Sequence, residues 1–180
     1  MDRLLTSHRA PHVGPVNVHE VCERVRSLIL AEFPEGVRIL RDFDASLPDI
    51  HADREQLIKV VLNVVRNGAQ AIVGARKRGD DAPGTLTLRT RVARFVTIGR
   101  RMHRLALELQ VMDDGPGIPP ELRERVFYPL VSGREGGTGL GLTLAQAYVQ
   151  QHGGSIECDS APGRTVFRIL YPLDATRAAA

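Results

Sequence analysis

Directly after a predicted strand comes the most informative stretch of the chain, Met112-Asp113-Asp114-Gly115-Pro116-Gly117-Ile118-Pro119. A carboxylate at a strand end can accept a hydrogen bond from an exocyclic amine such as that of adenine. The glycines let the backbone approach a flat ring closely. The same residues also suit an ordinary tight turn, because Asp-Gly and Pro-Gly are turn-forming pairs. Alone, this stretch does not decide between a ligand site and a turn.

A second stretch rich in glycine opens a predicted helix: Ser132-Gly133-Arg134-Glu135-Gly136-Gly137-Thr138-Gly139-Leu140-Gly141-Leu142. Backbone amides that lead into a helix N-terminus form a site suited to phosphates. A dinucleotide-binding fingerprint requires a preceding strand, and no strand is predicted before this stretch. The Gly-Lys-Ser/Thr of a Walker A loop does not occur either. A flexible hinge is the alternative. Residues 131–139 lack a hydrophobic period and are predicted to form a mobile loop.

A third polar cluster interrupts an otherwise apolar predicted helix at Leu62-Asn63-Val64-Val65-Arg66-Asn67-Gly68-Ala69-Gln70. The spacing of four places the amides of Asn63 and Asn67 on one helix face. Amide oxygens suit a hard cation such as Mg²⁺, which prefers oxygen ligands. The alternative is a pair of amides that only satisfy hydrogen bonds at the edge of the core.

The composition is that of one globular domain, with 180 residues, 43% hydrophobic and 25% charged. No apolar run approaches the ~20 residues of a membrane span, and the N-terminus lacks a signal-peptide pattern, so no membrane association is expected. The two cysteines, Cys22 and Cys158, fit a reducing compartment, and we expect a cytoplasmic protein. Much of the glycine lies between Gly115 and Gly163, where two of the three clusters fall.

The net charge of +3 and the isoelectric point near 9.2 do not by themselves indicate nucleic acid. Most arginines are interleaved with acids, and the one basic stretch, from Arg89 to Arg104, lacks aromatic partners for base stacking. A solvated hairpin face is the simpler interpretation of this stretch, and a partner-binding patch is the alternative. We expect no nucleic acid partner.

Hydrophobic periodicity predicts an α+β fold. Helices are predicted after Asn17, after Asp53, briefly after Pro119-Pro120 and over residues 140–151; strands are predicted over 37–41, 85–92, 104–111, 155–158 and 165–170. The sum is a two-layer α/β sandwich, in which helices cover one face of a mixed, mostly antiparallel sheet. Residues 1–16 are predicted to be a linker, 17–173 the domain and 174–180 a disordered tail.

The clusters, taken in chain order, resemble a known set of motifs. The Asn-x-x-x-Asn helix, Asp-x-Gly-x-Gly, Phe127-Tyr128-Pro129-Leu130 and Gly-Thr-Gly-Leu-Gly-Leu resemble the N, G1, F and G2 boxes of sensor histidine kinases. The resemblance covers about residues 17–173 and implies the Bergerat ATP-binding fold, shared with gyrase, Hsp90 and MutL. The stretches Leu40–Pro48 and Phe127–Leu142 are similar in particular to nitrogen-regulation kinases of the NtrB type.

The resemblance implies a role for each residue that matches a box. It places Asn67, with Asn63, at Mg²⁺ and the phosphates of ATP, Asp113 at the adenine amine, and Arg134 within reach of the γ-phosphate. The remaining cofactor-binding positions that it implies are Gly115, Gly117, Ile118, Gly137, Thr138, Gly139, Leu140, Gly141 and Thr165.

Two positions differ from the pattern of these kinases. Gly68 stands where alanine is usual, and a glycine there should weaken the helix by up to ~1 kcal/mol. Lys59 stands where relatives often carry a neutral or acidic polar residue, and we do not assign it to the site.

The resemblance also separates a kinase from a hydrolase. ATP hydrolases of this fold place a glutamate four residues before the metal-binding asparagine, whereas this chain has Asn63, which cannot act as a general base. The site is therefore expected to position the triphosphate for an acceptor from elsewhere. His19-Glu20-Val21 resembles the start of a phosphoacceptor motif, but the Asn-Pro is missing, so we do not expect His19 to be the acceptor.

The partners that the resemblance implies are the dimerisation and phosphoacceptor domain of the same kinase, which residues 1–16 would follow, an NtrC-type response regulator and the PII signal protein. The γ-phosphate of ATP would pass to a histidine of that separate domain, which this chain is not expected to contain. Two alternatives stay open: a non-catalytic nucleotide-sensing module that docks a regulator such as PII, and an anti-sigma-type protein serine kinase.

Overall fold

This computed structural model describes residues 10–77, 82–129 and 141–173 of the chain. The strands are β1 (Val13–Val16), β2 (Val37–Asp42), β3 (Ile50–Asp53), β4 (Gly84–Ile98), β5 (Arg101–Asp113), β6 (Ser155–Ala161) and β7 (Arg164–Pro172). The helices are α1 (Val18–Glu32), α2 (Arg54–Ala75), α3 (Pro120–Arg123) and α4 (Gly141–Gln151). Within these ranges, no helix combines the length and the apolar character needed to cross a membrane.

Five strands form one mixed sheet in the order β2-β4-β5-β7-β6. β2 is parallel to β4, while the other neighbours pair in antiparallel fashion. β5 is therefore the central strand, and β2 and β6 are the edges. β1 and β3 form a separate two-stranded antiparallel sheet. The predicted fold class, a mostly antiparallel sheet with helices on one face, is confirmed.

The helices lie on one face of the sheet and enclose the main core. α2 lies between α1 and α4, and its residues Val61, Val64 and Val65 are fully buried. Alternate residues of β4 and β5 point toward them because side chains alternate between the two faces of a strand. The largest of these strand residues in the core are Leu86, Leu88, Leu107 and Leu109.

The other face of the sheet is largely polar. Asp42 forms ion pairs with Arg89 and Arg91 at 2.7 Å and 2.9 Å, so part of the predicted basic stretch is neutralised within the sheet. Near the β4–β5 turn, Ile98 packs against Ala106 and Leu170 in a second, small cluster. The solvated-face interpretation fits these paired arginines.

The structure differs from the sequence prediction at the N-terminal side. Val13–Val16, within the predicted linker, forms strand β1 and pairs with β3, which the periodicity also missed. Gly14 and Pro15 would disfavour a strand in the interior of a sheet. An edge strand tolerates proline, because every other backbone N–H of an edge strand makes no hydrogen bond to a neighbouring strand. The secondary structure thus begins before residue 17.

Candidate functional site

The first part of the site is the asparagine face of α2. Both Asn63 and Asn67 are half-buried on this helix. The Nδ2 group of Asn63 donates to the backbone oxygen of Gly141 at 3.3 Å, and Gly141 is the first residue of α4. The fold therefore brings the predicted metal-side amide to the point where the glycine-rich stretch enters its helix.

The second part of the site is Asp113, the last residue of the central strand β5. Its side chain is only 6% exposed, and its Oδ1 accepts a hydrogen bond from the amide of Gly115 at 3.0 Å. Gly68 of α2 lies against it: a Cβ atom there would stand 3.2 Å from Asp113 Oδ2 and 2.8 Å from Leu86 Cδ2. The structure thus brings the asparagine helix and the predicted adenine-binding carboxylate into contact at Gly68.

Gly68 has a packing reason that the sequence does not reveal. The space that an alanine methyl would need is taken by the end of the Leu86 side chain and by Asp113. The glycine lets α2 approach the end of β5 without a side chain between them.

The third part is the loop from Gly115 to Ile118, which is held between α2 and the β6–β7 turn. A Cβ on Gly115 would lie 2.8 Å from Asp113 Oδ1. Gly117 has φ +85°, and a Cβ there would lie 2.6 Å from the backbone oxygen of Ala161, so this position needs glycine, whereas at Gly115 the Asp113 carboxylate would have to shift. The amide of Gly163 donates to the oxygen of Gly115 at 3.0 Å and closes the contact from the other side.

Thr165 completes the adenine side of the predicted site. It lies directly opposite Asp113 in the β5–β7 pairing and is 3% exposed. On its other side it lies opposite Ser160 of β6, and the two hydroxyl oxygens are 2.8 Å apart. The amide of Ile118 also donates to Ser160 Oγ at 2.8 Å. Sequence analysis missed Ser160; its alternation with Ile156 and Cys158 on the helix-facing side of β6 could have indicated it.

Asp114, adjacent to Asp113, has a different position. It is exposed, and its Oδ1 accepts from the amide of Thr85 at 2.8 Å, while its own amide donates to the Thr85 oxygen at 3.2 Å. Asp114 therefore holds the end of β5 to the start of β4. Of the two neighbouring acids, only Asp113 faces the helices.

The Cys158 thiol lies near Asp113. Burial raises the pKa of this thiol to about 12, and the negative charge of Asp113 adds to the shift. The thiol is therefore protonated at neutral pH. Phe127 and Phe167 meet edge to face at 6.1 Å in the same core, Phe167 lying opposite Cys158 in the β6–β7 pairing.

Part of the predicted phosphate side falls outside the described residues, namely Arg134, Gly137, Thr138, Gly139 and Leu140. Among the residues that the structure describes, no cluster of three or more His, Cys, Asp or Glu side chains could hold a metal ion. Mg²⁺ commonly takes only one or two protein oxygens and fills its other positions with water and phosphate. The neutral amides of Asn63 and Asn67 fit a Mg²⁺ ion that binds together with a triphosphate.

A separate cavity of about 270 Å³ lies beside the β1–β3 sheet, between His51 and His152. None of the predicted site residues that the structure describes lines it. This cavity is therefore separate from the α2–β5 contact.

Comparison with known protein families gives a match over residues 52–175, to the family described as histidine kinase-, DNA gyrase B-, and HSP90-like ATPase. The sensory histidine kinase/phosphatase NtrB of Salmonella typhimurium is 47% identical over 174 residues, which are 96% of this chain and 48% of that protein. NtrB of Rhodobacter capsulatus is 41% identical over 172 residues, or 92% of this chain and 45% of that protein. The chain spans about half the length of the curated relatives it matches.

Solved structures give the same picture. A mycobacterial sensor histidine kinase, MprB, superposes with a TM-score of 0.69 at 26% identity, covering 89% of this chain and 97% of that one. Full-length ShkA in complex with AMPPNP has a TM-score of 0.70 at 25% identity, covering 97% of this chain and 33% of that one. The catalytic domain of histidine kinase ThkA, at 22% identity, has a TM-score of 0.71 over 90% of this chain and 96% of its own, and it shows the shared fold.

Proposed function

The chain belongs to the family of histidine kinase-, DNA gyrase B- and HSP90-like ATPases, and from this premise we propose that it is the ATP-binding catalytic domain of an NtrB-type sensor histidine kinase. In this function the domain binds ATP with Mg²⁺ and presents the γ-phosphate to a histidine on a separate phosphoacceptor domain. The observation on which the proposal rests is the buried carboxylate of Asp113, enclosed by Gly68, Gly115 and Thr165. The identity of 41–47% to NtrB proteins over nearly the whole chain supports the NtrB type.

Asp113 has the chemistry to select adenine. A carboxylate offers about four acceptor sites and can accept from several donors at once, of which the Gly115 amide is one. Its Oδ2 lies against the backbone of α2 at Gly68, where a Cβ atom would stand only 3.2 Å away. Adenine presents an amine donor at its position 6, whereas guanine presents a carbonyl oxygen that the carboxylate would repel. Burial strengthens this discrimination, because an unmatched charge is costly in a low-dielectric site.

Asn63 and Asn67 are proposed to bind on the phosphate side. Bound Mg²⁺ would supply positive charge that offsets the charge of the triphosphate. The two amides on α2 would orient the phosphates, and the contact of Asn63 with Gly141 supports this placement because it lies at the end of the glycine-rich stretch. We include Arg134, Gly137, Thr138, Gly139 and Leu140 of that stretch as phosphate-binding residues on the basis of the motif resemblance.

Transfer to another domain, rather than hydrolysis, follows from the same helix face. An amide at position 63 cannot take a proton from water, so the described part of α2 lacks the general base of a hydrolase at this position.

Two large apolar side chains flank the glycine-rich stretch at its two ends: Tyr128 is 57% exposed and Leu144 is 62% exposed. The Thr143 hydroxyl donates to the Phe127 oxygen at 2.8 Å and holds these flanks together. Such exposed apolar groups suit the docking of a phosphoacceptor domain.

The wider partners belong to the same proposal. The similarity to NtrB kinases supports an NtrC-type response regulator as the protein that receives the phosphoryl group. We include a PII-type signal protein as a regulator on the basis of the motif resemblance alone. Both would act on the whole kinase, of which this chain corresponds to about half the length.

The adenine assignment is tested with Asp113→Asn. The substitution replaces an acceptor by an amide that turns a donor toward the adenine amine, and loss of a charged hydrogen bond corresponds to roughly 10- to 100-fold in affinity. Titration calorimetry with ADP should therefore show binding at least about tenfold weaker. Asp114→Asn is the matched control, since its amide oxygen still accepts from Thr85, and its ADP affinity should stay at the wild-type value. Unchanged ADP binding by Asp113→Asn would rule out the assignment.

The kinase assignment is tested by phosphoryl transfer between separate chains. Incubated alone with ATP labelled at the γ-phosphate, the chain should acquire little acid-labile label. With an added phosphoacceptor domain of an NtrB-type kinase, label should appear on that domain, and Leu144→Ala should lower the transfer rate without changing ADP affinity. Strong self-labelling of this chain would show that the acceptor had been misplaced.

A further inference from the structure

The adenine side of the site includes a side chain that no motif indicates, Ser160. It lies in one row across three strands, because Thr165 is the register partner of both Asp113 on β5 and Ser160 on β6. Residues in one such row point to the same face of the sheet. Ser160 therefore faces the helices beside Thr165 and Asp113, although it lies on an edge strand.

The hydroxyl of Ser160 joins two parts of the site. Its oxygen accepts from the amide of Ile118 at 2.8 Å and lies 2.8 Å from Thr165 Oγ1. A backbone N–H can only donate, so one acceptor position of Ser160 is committed to the loop. Its own proton is then available for Thr165 Oγ1, which would leave the Thr165 proton to point into the site.

The loop that Ser160 holds is the one that lies against Asp113. The remaining connections of this loop to the β6–β7 turn are made by backbone: Gly163 donates to Gly115, and Gly117 lies against Ala161. Among the described residues, Ser160 is the one that connects this loop to the strand through its side chain. A change at this one hydroxyl would therefore act on the loop and on Thr165 together.

We propose that Ser160 is a positioning residue of the nucleotide site, which fixes the Gly115–Ile118 loop and the Thr165 hydroxyl relative to Asp113. The inference rests on the proposed binding of ATP. Ser160 acts through Thr165 and Ile118 and adds selectivity for the adenine ring rather than general affinity for nucleotides.

The test compares ADP with inosine diphosphate, which lacks the exocyclic amine. In Ser160→Ala, ADP should bind about tenfold more weakly, which corresponds to the loss of one buried hydrogen bond, and inosine diphosphate should be affected much less. The ratio of the two affinities should therefore fall. Ser160→Thr and Ser160→Val form a matched pair of similar shape that differs in the hydroxyl: the threonine variant should keep the wild-type ratio and the valine variant should lose it.

One control variant tests whether the loss of any hydroxyl from this strand has the same effect. Ser155→Ala removes a hydroxyl from the same strand but from its opposite face, and should leave both affinities unchanged. The proposal would be overturned if Ser160→Ala kept the wild-type affinity for ADP and the wild-type ratio of the two affinities. It would also be overturned if Ser160→Ala lost the same factor of affinity for both nucleotides, because that result indicates a merely structural role. If the wild-type chain itself fails to bind ADP, the proposed function fails, and that result is distinct from a failure seen only in the variants.

Discussion

The absence of a side chain at Gly68 bears on both the stability of helix α2 and the packing around Asp113. This residue lies in the interior of α2, where glycine is unfavourable, yet its bare Cα faces both Leu86 and Asp113. The contact with Leu86 involves the end of a flexible side chain, which can shift. A Cβ atom added here would also stand 3.2 Å from Asp113 Oδ2, which belongs to the carboxylate that we assign to adenine. An added methyl would therefore affect binding more than folding.

We expect Gly68→Ala to weaken ADP binding several-fold while the free energy of unfolding changes by less than about 1 kcal/mol, because improved helix propensity offsets the closer packing. Calorimetry and urea unfolding measure the two quantities. Gly74→Ala is the matched control: it lies in the same helix with nothing within 4 Å of the added Cβ. This variant should gain stability and bind ADP normally. Equal ADP affinities in the two variants would contradict the role given to Gly68.

At this scale, the sequence predicted the groups that belong to a contiguous motif. Asp113, Gly115 and Gly117 were found because they lie within a few residues of one another. Ser160 was not found, because its role arises from the register of β6 and β7 with β5, which is distant from them in sequence. The reason for Gly68 was likewise hidden, since Leu86 lies on β4 and approaches only when α2 packs on the sheet.

Among the elements, helix α2 is capped by Asp53, whose carboxylate also bonds to the chain just before β1. Asp53 Oδ1 accepts from the amide of Gln56 at 3.1 Å and caps the helix. Its Oδ2 accepts from the amide of His12, the residue just before β1, at 2.9 Å. These bonds hold the pKa of Asp53 below its ordinary value of 3.8, and the bond from the Gln56 amide has the largest effect. The charged form is therefore favoured in the folded chain.

Asp53→Ala should lower the free energy of unfolding by about 1–2 kcal/mol at neutral pH, the usual cost of losing a helix cap. Because the pKa is lowered on folding, the charged carboxylate stabilises the fold at neutral pH, and this contribution is lost as the pH falls through the lowered value. The stability difference between wild type and variant, measured by urea unfolding, should therefore shrink in acid. Asp53→Asn, which retains a capping oxygen, should lose less at neutral pH. A difference independent of pH down to pH 3 would argue against this account.

Helices were easier to predict than strands. Asn17 and Asp53 were identified as caps from their position before an apolar period, and both side chains accept from the first turn of their helices. β1 and β3 have only four residues each, too few for a period to stand out. β4 and β5 extend further than predicted because residues near their turn, such as Phe95 at 68% exposure, no longer alternate between a core face and a polar face.

For the whole molecule, the N-terminal boundary is the main revision. Val16 of β1 is 6% exposed, and its register partner Ile50 is 2% exposed, so β1 contributes to the core. The linker prediction for residues 1–16 therefore ends too late, at least by the length of this strand.

A chain that starts at residue 17 should be less stable than one that starts at residue 10. Removing Val16 from the core costs about 1.5–3 kcal/mol in apolar burial, and the loss of the His12 bond to Asp53 adds to it. Urea unfolding of the two chains should show a lower midpoint for the shorter one. Val16→Ala in the longer chain should reproduce part of the loss. Identical midpoints would show that β1 is dispensable and that residue 17 is a valid boundary.

The sheet order has a consequence for local unfolding. Asp113 lies on β5, which is paired on both sides, whereas Ser160 lies on the edge strand β6. Edge strands open by transient fraying at a lower free-energy cost than central strands do. The carboxylate that we propose selects the base is thus held by the part of the sheet that opens last, while the hydroxyl that we propose orients its surroundings is on a part that opens first. A bound nucleotide that contacts Asp113 and Thr165 would, through the contact of Thr165 with Ser160, suppress the opening of β6 and turn a fraying edge into a slowly exchanging strand.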